Sequence, residues 1–373
     1  MSSGELAMVS TFSPTRCGIA SFSASLADSL FDWGHEVDIF RLIDHNDAPS
    51  LDPRVVMQFD PASPSSLAHA ATVLDRYQLI VLQHEFGIFG PEEGLAAAEL
   101  AEAVTSPVMV VFHTVPLRPR PMQREIIDRL GTAASAIVVP SHAARVALED
   151  IYGIHAEMVT VIPHGSKWQP ADTPARPRVR LLTWGLLGPG KGIERAIEAV
   201  RQLRDVEDIE VTYRVVGQTH PNVVRKEGYR YRDALERLIK QHRLEDVVVL
   251  DDGFRSEADL QRLVASADVI VVPYDNDEQI SSGVLSEAVA AGKPVIATAF
   301  PHAIELLGSG AGIVVAHDSG EMAAAIRTML TDDVAYRRAV MRARGLSRQL
   351  SWAEVGRRYG ETFDQMADSL AVS

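Results

Sequence analysis

The sequence predicts an α/β protein made of two doubly wound parallel sheets in tandem. Short runs of Val, Ile and Leu alternate with amphipathic segments along the whole chain. Uninterrupted apolar strands joined by helices are typical of parallel sheets that are buried on both faces. The alternation breaks once, where three prolines fall in the polar stretch 169–178, which has the composition of an interdomain linker. A chain of 373 residues is too long for one compact domain and long enough for two.

The part of the chain before the linker contains a first series of strands separated by helical patterns. Ile19, Phe22, Leu26 and Leu30 recur at helical spacing, and Gly34 behind them predicts the end of that helix. The predicted strands are 8–11, 37–42, 55–59, 79–83, 108–113, 136–139 and 158–162.

A second series of strands follows the linker and repeats the same arrangement. These strands are predicted at 179–184, 209–216, 247–250, 269–272, 295–298 and 312–315. Two helical patterns, 334–350 and 352–370, come after the last strand and need an apolar surface to cover. Two such domains facing a cleft would bind ligands at the carboxyl ends of their strands.

Composition excludes several classes of protein. Apolar residues make up 46% and charged residues 23% of the chain, which are the proportions of a soluble globular protein and not of a disordered chain. The net charge of −14 argues against a nucleic-acid partner, since phosphate neutralisation by a basic face dominates such binding. The single cysteine, Cys17, cannot form an internal disulfide and fits a reducing compartment.

No targeting segment is evident from the sequence. The N-terminus lacks a basic region followed by an apolar core and a cleavage site. Apolar runs such as 107–112 stop far short of the roughly 18–20 residues needed to cross a bilayer. We expect a cytoplasmic protein, with peripheral contact at the inner face of the cell membrane left open.

The loop 185–192 is the first candidate for ligand binding. It follows a predicted strand and opens a predicted helix, so its backbone N–H groups can approach a phosphate with Lys191 supplying positive charge. The spacing Gly185-x4-Gly190-Lys191 nearly reproduces a P-loop, but Gly192 stands where that loop needs the hydroxyl of Ser or Thr for Mg²⁺. Phosphate binding is therefore favoured and NTP hydrolysis is not.

The segment 277–294 is the second candidate, and it lies between two predicted strands. Ser281, Ser282 and Gly283 can start a helix whose free N–H groups point at an anion. Glu287 lies one turn further along and can accept hydrogen bonds from a diol such as a ribose. A carboxylate among apolar residues at this position favours a binding role.

Three turns of the first domain could contribute. His113 ends a strand and would face the cleft, Gly18 lies in the first strand-to-helix turn, and 83–90 follows another strand with polar groups suited to an acceptor. His84, Glu85, His113 and His164 do not have the spacing of a metal site, so no metal is expected.

The run 287–298, preceded by 267–273, resembles the C-terminal domain of a retaining glycosyltransferase of family 4. Residues 185–192, 215–222 and 13–21 fit the same family, so the resemblance covers essentially the whole chain. It implies the GT-B fold: a Rossmann-like acceptor domain at 1–170, a linker at 171–178, a Rossmann-like donor domain at 179–350, and a C-terminal helix at 351–373 that packs back on the first domain.

The resemblance also implies the roles of individual residues. Lys191 would contact the donor pyrophosphate, the N–H groups of Gly283 and Val284 would cap it, and Glu287 would bind the ribose. His113 would lie beside the transferred sugar. The full expected set is catalytic His113, Lys191 and Gln279, with Gly18, Gly185, Gly190, Lys191, Gly217, Phe254, Arg255, Ser282, Gly283, Val284 and Glu287 binding the nucleotide.

Two positions depart from the family pattern. Gln279 stands where the family often has a glutamate, and Leu186 stands where it often has an arginine. Gln279 keeps the hydrogen-bonding shape and loses the charge. Arg255 is a candidate to replace the positive charge that Leu186 lacks.

The function implied is transfer of a hexose from a UDP- or GDP-sugar to a hydroxyl acceptor, with retention and an α-glycosidic product. The acceptor would be a saccharide, a glycoside or a lipid-linked molecule, and no cofactor would be required. Two alternatives are a protein that binds nucleotide sugars without transferring them and a P-loop-like NTPase. A nicotinamide-dependent dehydrogenase is disfavoured because the glycine loop has the wrong spacing.

Overall fold

The computed structural model describes residues 6–15, 17–44, 47–170, 180–207, 209–253 and 255–372. The chain divides into two compact units. Unit 1 comprises Met1–Gly165 and Trp352–Ser373, and unit 2 comprises Ser166–Ser351. The predicted linker 171–178 lies outside the described residues.

Unit 1 is built on a seven-stranded sheet in which every neighbouring pair is parallel. Its strands are β1 (Leu6–Ser10), β2 (Val37–Leu42), β3 (Val55–Phe59), β4 (Leu79–His84), β5 (Val108–Phe112), β6 (Ala136–Val139) and β7 (Val159–Val161). The helices between them are α1 (Gly18–Asp32), α2 (Pro64–Leu74), α3 (Ala96–Ala103), α4 (Pro121–Ala133) and α5 (His142–Tyr152). The spatial order is β3-β2-β1-β4-β5-β6-β7.

Unit 2 is built on a six-stranded parallel sheet. Its strands are β8 (Arg180–Trp184), β9 (Thr212–Val216), β10 (Val248–Asp251), β11 (Val269–Val272), β12 (Val295–Thr298) and β13 (Gly312–Val315). Its helices are α6 (Ile193–Glu207), α7 (Pro221–Glu227), α8 (Arg230–Gln241), α9 (Glu257–Ser266), α10 (Gly283–Ala290), α11 (Pro301–Leu307), α12 (Ser319–Thr331) and α13 (Asp333–Ser347). The spatial order is β10-β9-β8-β11-β12-β13.

The fold class predicted from the sequence is confirmed, and each predicted strand is present within a few residues of its expected place. The central strands β1, β4 and β5 of unit 1 and β11 and β12 of unit 2 are buried along their whole length, as expected where helices cover both faces of a sheet. The strand order reverses between β1 and β4 in unit 1 and between β8 and β11 in unit 2. Ligands of open α/β sheets bind outside the carboxyl ends of the strands at such a reversal, which directs attention to the loops after these four strands.

The last helix, α14 (Trp352–Val372), belongs to unit 1. Its buried side chains Val355, Tyr359 and Phe363 join the core on the α1 face of the sheet. The Ser29 hydroxyl on α1 donates to the carbonyl of Trp352 at 2.5 Å. The expected return of the C-terminal helix to the first domain is therefore observed. Burial of the apolar face of α14 in the core of unit 1 accounts for this placement.

Residues 166–170 belong to unit 2, where the sequence predicted the end of the first domain at 170. The backbone N–H of Ser166 donates to the carbonyl of Leu350 at 2.7 Å. The Trp168 ring lies 5.2 Å from that of Trp184, centroid to centroid, in the apolar core of unit 2. Burial of Trp168 fixes this segment to unit 2 although its neighbours in sequence are polar, because buried aromatic side chains contribute strongly to the stability of a core.

Candidate functional site

The loop 185–192 after β8 has a backbone that requires glycine. Gly185, Gly190 and Gly192 have φ values of +122°, +87° and +60°, which side-chain-bearing residues rarely adopt. The N–H of Leu187 donates to the carbonyl of Gln218 at 2.8 Å, which holds this loop to the segment that follows β9. These glycines give the loop its turn toward the first residues of α6.

Gly192 also lies against the chain that follows β11. A Cβ placed on Gly192 would sit 1.8 Å from the carbonyl oxygen of Pro273. A serine or threonine cannot be accommodated there without moving the backbone, so the hydroxyl that a P-loop uses for Mg²⁺ has no room at this position. The departure from the P-loop pattern seen in the sequence has a packing cause.

Arg195, on the first turn of α6, ties the glycine loop to the loop after β11. Its guanidinium donates to the carbonyl of Pro273 at 3.0 Å and pairs with Asp275 at 2.6 Å. The N–H of Asp275 in turn donates to the carbonyl of Gly190 at 2.9 Å. The two loops at the strand reversal of unit 2 therefore form one connected structure.

Lys191 lies in this connected structure, with its ammonium over an aromatic ring. Its Nζ is 4.2 Å from the centroid of Tyr274, which is buried and stacks on Phe300 at 5.6 Å. A cation in that position is attracted by the ring quadrupole. Burial lowers the pKa of the nearby His220, and the positive charges of Lys191 and Arg225 lower it further. Lys191 thus supplies a positioned positive charge.

Gly217, at the end of β9, packs against the same loop. A Cβ on Gly217 would sit 1.8 Å from the carbonyl oxygen of Gly185. Gly185 also approaches Val284 at the start of α10, since a Cβ on Gly185 would lie 3.6 Å from the Cγ2 of Val284. The structure therefore brings together Gly185, Gly217, Lys191 and the first turn of α10.

The first turn of α10 offers backbone donors. Ser282 caps the helix, because its hydroxyl oxygen accepts from the N–H of Leu285 at 3.2 Å. The N–H of Ser282 itself donates to Nδ1 of the buried His302 at 2.9 Å. Within the described part of the chain, the N–H groups of Gly283 and Val284 have no acceptor, as is usual for the first turn of a helix. The positive end of the helix dipole makes them suited to an anion.

Glu287 lies one turn further along α10 and is oriented by a residue that the sequence did not single out. The indole N–H of Trp184 donates to a carboxylate oxygen of Glu287 at 3.3 Å. Trp184 is the last residue of β8 and is buried. Its role depends on a contact between residues 103 positions apart in the sequence, so no local pattern reveals it.

The side chains of Gln279 and Arg255 each bond to a residue close to them in sequence, which the sequence did not indicate. The side-chain amide N–H of Gln279 donates to the carbonyl of Ser281 at 2.8 Å. The guanidinium of Arg255 pairs with Asp251, at the end of β10. Asp251 also accepts from the N–H of Gly253 at 3.1 Å. Phe254 lies outside the described residues.

In unit 1, His113 follows β5 and contacts the neighbouring strand β4. Its Nε2 is 2.8 Å from the side-chain oxygen of Gln83. The ring of Phe22, on α1, lies perpendicular to the imidazole with centroids 4.7 Å apart. Burial lowers the pKa of His113 to about 3, with smaller contributions from His164 and His84. The imidazole is therefore neutral at physiological pH.

Burial also disfavours the charged forms of His84 and Glu85, at the carboxyl end of β4. His84 is completely buried between the rings of Phe86 and Phe112, and neither ring nitrogen has a partner among the described residues. Burial lowers its pKa to about 3. Burial raises the pKa of Glu85, although its carboxylate accepts from the hydroxyl of Thr114 at 2.6 Å.

The buried His84 predicts a loss of stability in acid. Its pKa in the folded protein is about 3, below the ordinary value of 6.5. The unfolded chain therefore binds a proton that the folded chain does not, and stability falls as pH falls below about 6.5. We expect His84→Phe to recover about 2 kcal/mol of the unfolding free energy lost between pH 7 and pH 5. Urea unfolding at both pH values measures this.

The control for this prediction is His69→Phe, because His69 is exposed on α2. The unfolding free energy of His69→Phe should fall between pH 7 and pH 5 by as much as that of the wild type. An equal acid loss in the wild type and His84→Phe would contradict the prediction.

The loop that precedes Gly18 is organised by a buried arginine. Gly18 is the first residue of α1, and the Cys17 sulfur accepts from the N–H of Ala20 at 3.4 Å. Arg41, on β2, is fully buried and donates to the carbonyl of Phe12 at 3.1 Å and to the hydroxyl of Thr15 at 2.8 Å. These bonds compensate the buried charge and fix the turn that leads into α1.

Two further findings apply to the described residues alone. No three His, Cys, Asp or Glu side chains among them lie close enough together to hold a metal ion. None of the helices in the described ranges combines the length and the apolar character needed to cross a membrane.

Comparison with known families assigns both units. Residues 17–166 match the family described as Glycosyltransferase Family 4, and residues 178–332 match Glycosyl transferases group 1. The two matches together cover most of the chain and fall on separate units. The chain belongs to the family 4, group 1 glycosyltransferases. The resemblance to family 4 glycosyltransferases that the sequence indicated is therefore confirmed.

Two curated relatives share part of the sequence. The D-inositol 3-phosphate glycosyltransferase of Kineococcus radiotolerans is 31% identical over 255 residues, which are 62% of this chain and 57% of that protein. The putative colanic acid biosynthesis glycosyltransferase WcaL of Salmonella typhimurium is 32% identical over 124 residues, 32% of this chain and 28% of that protein. The matched regions thus span little more than half of one relative and less than a third of the other.

Solved structures of similar fold match nearly the whole chain. Sucrose-phosphate synthase from Thermosynechococcus elongatus is 19% identical with a TM-score of 0.76, over 99% of this chain and 100% of that one. HepE of Anabaena, solved in complex with UDP, is 19% identical with a TM-score of 0.76, over 97% of this chain and 100% of that one. At this identity the likeness establishes the fold, which is the two-domain GT-B fold of glycosyltransferases.

Proposed function

We propose that this protein is a retaining hexosyltransferase. It takes a hexose from a UDP- or GDP-sugar and joins it to a hydroxyl of a saccharide, a glycoside or a lipid-linked acceptor, forming an α-glycosidic bond. The observation that carries the proposal is the cluster at the strand reversal of unit 2. There the glycine loop carries a lysine cation, and the adjoining helix α10 carries a carboxylate and two backbone N–H groups that have no acceptor among the described residues.

This cluster has the complementary chemistry for a nucleoside diphosphate. Lys191 and the N–H groups of Gly283 and Val284 suit the diphosphate, because a helix N-terminus and a cation both attract anionic oxygens. Gly185, Gly190 and Gly217 let the backbone approach closely. Glu287 accepts hydrogen bonds from the two hydroxyls of the ribose. Arg255 and the backbone beside it would contact the base.

The proposed reaction needs no protein nucleophile. The bond between the sugar and the diphosphate breaks, and the acceptor oxygen bonds to the sugar carbon on the same face. The departing diphosphate oxygen takes the proton of the acceptor hydroxyl. Lys191 and the first turn of α10 stabilise the negative charge that develops on the diphosphate, so we propose that no metal or other cofactor is required.

Unit 1 is proposed to supply the remaining contacts. His113, with a neutral imidazole at the carboxyl end of β5, would contact the transferred sugar. Gly18 would bring the start of α1 to the phosphates. From unit 2, Gln279 would offer its side-chain oxygen to sugar hydroxyls. The HepE structures contain UDP or UDP-glucose, which supports testing UDP-hexoses first.

The test is a transfer assay with UDP- and GDP-hexoses and a panel of hydroxyl acceptors. Release of nucleoside diphosphate measures turnover, and proton NMR of the product measures the anomeric configuration. An α-linked product from an α-linked donor supports the proposal, and a β-linked product would overturn retention.

One observation favours the second candidate, a nucleotide-sugar-binding protein without transferase activity. Gln279 carries no charge, and its amide is engaged by the carbonyl of Ser281. Under that alternative the protein binds a nucleotide sugar and yields no product with any acceptor. Gln279→Glu then restores the carboxylate, and its turnover shows whether the missing charge is the cause.

Trp184→Phe is expected to weaken nucleotide binding about five- to tenfold. The change removes the indole N–H that donates to Glu287 and keeps an aromatic ring in the core. A typical intramolecular hydrogen bond contributes a net of about 1–1.5 kcal/mol. Isothermal calorimetry with the nucleoside diphosphate measures the effect. The control is Trp33→Phe, whose indole donates to the carbonyl of Ala353 in unit 1. Equal affinities of Trp184→Phe and wild type would remove Trp184 from the proposed site.

A further inference from the structure

Gln83 and His113 form a pair of side chains at the carboxyl ends of β4 and β5. Gln83 is fully buried, and its side-chain oxygen lies 2.8 Å from Nε2 of His113. The amide nitrogen of Gln83 has no hydrogen-bond partner among the described residues. The contact of its oxygen with His113 is therefore the side-chain hydrogen bond that Gln83 makes in the described structure. Nδ1 of His113 has no hydrogen-bond partner among the residues described.

This pairing specifies one form of the imidazole. A neutral imidazole carries one N–H donor and one acceptor nitrogen, and the hydrogen bond made by one nitrogen decides the role of the other. An amide oxygen can only accept, so Nε2 carries the proton and donates to Gln83. Nδ1 is left as the acceptor.

The surroundings of the pair oppose a positive charge. Phe22, on α1, packs perpendicular to the imidazole, and His164, in the loop after β7, packs against the same phenyl ring. His84 is the other titratable neighbour, on β4. Glu85, also at the end of β4, accepts from Thr114 and from the N–H of Phe86. No carboxylate contacts His113 among the described residues, and burial lowers its pKa to about 3.

We propose that Gln83 is a positioning residue that fixes His113 in its Nε2–H form, so that Nδ1 acts as a neutral acceptor for a hydroxyl of the transferred sugar. Gln83 itself touches no substrate. The part about the sugar rests on the proposed transferase function, and the part about the imidazole does not. The consequence for specificity is that His113 recognises a hydroxyl donor and does not bind an anionic group.

The imidazole form is tested by nitrogen NMR on the full chain labelled with ¹⁵N-histidine. His113→Gln identifies the signals of His113 by their loss. In the wild type we expect a protonated Nε2 and an unprotonated Nδ1 at every pH from 8 to 5. In Gln83→Met, which fills a similar volume without an acceptor, we expect a mixture of both neutral forms. A protonated Nδ1 in the wild type, or an unchanged spectrum in Gln83→Met, would overturn the proposal.

Gln83→Glu separates positioning from a merely structural role. A carboxylate next to Nε2 favours the imidazolium and raises the pKa of His113. The variant should therefore lose transferase activity as pH falls through that raised pKa, while the wild type keeps its activity over the same range. The loss should appear in kcat, and the affinity for the nucleoside diphosphate bound by unit 2 should stay within twofold.

The matched control is Gln78→Glu, which adds the same charge at an exposed position just before β4. The transferase activity of Gln78→Glu should depend on pH as that of the wild type does. An activity profile of Gln83→Glu that parallels this control would overturn the proposal. Absence of transfer by the wild type with every donor would instead overturn the proposed function, and the NMR result would still decide the form of His113.

Discussion

Lys191→Ala should lower transferase turnover by roughly 10²–10³-fold, the typical effect of removing one group that stabilises negative charge in a transition state. The ammonium of Lys191 is the positioned cation of the glycine loop, held over Tyr274 at 4.2 Å. Because the diphosphate is the proposed leaving group, loss of this charge should lower kcat and also weaken binding of the free nucleoside diphosphate. Steady-state kinetics and calorimetry measure both effects.

Lys240→Ala is the matched control, since Lys240 is exposed near the end of α8 in the same unit. It removes the same charge far from the glycine loop in sequence and should leave turnover unchanged. Thermal unfolding of both variants should resemble the wild type. Turnover of Lys191→Ala within threefold of the wild type would remove Lys191 from the proposed mechanism.

Gly192→Ala should destabilise the protein by about 3 kcal/mol and abolish nucleotide binding. Its added Cβ would lie 1.8 Å from the carbonyl oxygen of Pro273, so one of the two loops at the strand reversal of unit 2 must move. The φ of +60° adds backbone strain, and together strain and overpacking cost about this amount. Urea unfolding measures the stability, and calorimetry measures the binding.

Gly190→Ala distinguishes the close contact from the backbone strain. Gly190 has a φ of +87° in the same loop, but a Cβ there would have nothing within 4 Å. We expect a loss of only about 1 kcal/mol for this variant. Equal losses for the two variants would show that the approach of Gly192 to Pro273 does not determine the shape of the loop.

Much of the fold could be predicted from the sequence because buried parallel strands leave a direct signal. The run Val269–Val272 is apolar throughout and is buried throughout, so its pattern can only be satisfied inside a sheet covered on both faces. The start of α10 could be predicted for a similar reason, because serine is a favoured N-cap residue and Ser282 caps this helix. The boundary at Gly165 was less predictable, because Trp168 reaches the core of unit 2 from a polar segment.

The candidate site could be predicted only as far as local patterns reach. The glycine loop, Lys191 and Glu287 follow from sequence spacing, whereas the partners that orient them come from distant parts of the chain. Tyr274 lies under Lys191, Trp184 donates to Glu287, and Pro273 excludes a side chain at residue 192. Such contacts depend on how strands are ordered in the sheet, which no local pattern specifies.

Gln83 illustrates the same limit in unit 1. The sequence predicted Gln83 as the last residue of an apolar strand, with polar groups suited to an acceptor. Its contact with His113 follows from the pairing of β4 with β5. The neutral state of His113 results from burial and from neighbouring histidines, which sequence spacing does not reveal.

The proposed nucleotide site is tested most directly by calorimetric binding of UDP, GDP, ADP and ATP to the wild type and to Lys191→Ala, each with Mg²⁺ and with EDTA. We predict tight binding of UDP or GDP that is unchanged by EDTA and is lost in Lys191→Ala. Binding of ATP that depends on Mg²⁺, or binding of no nucleotide at all, would contradict this prediction.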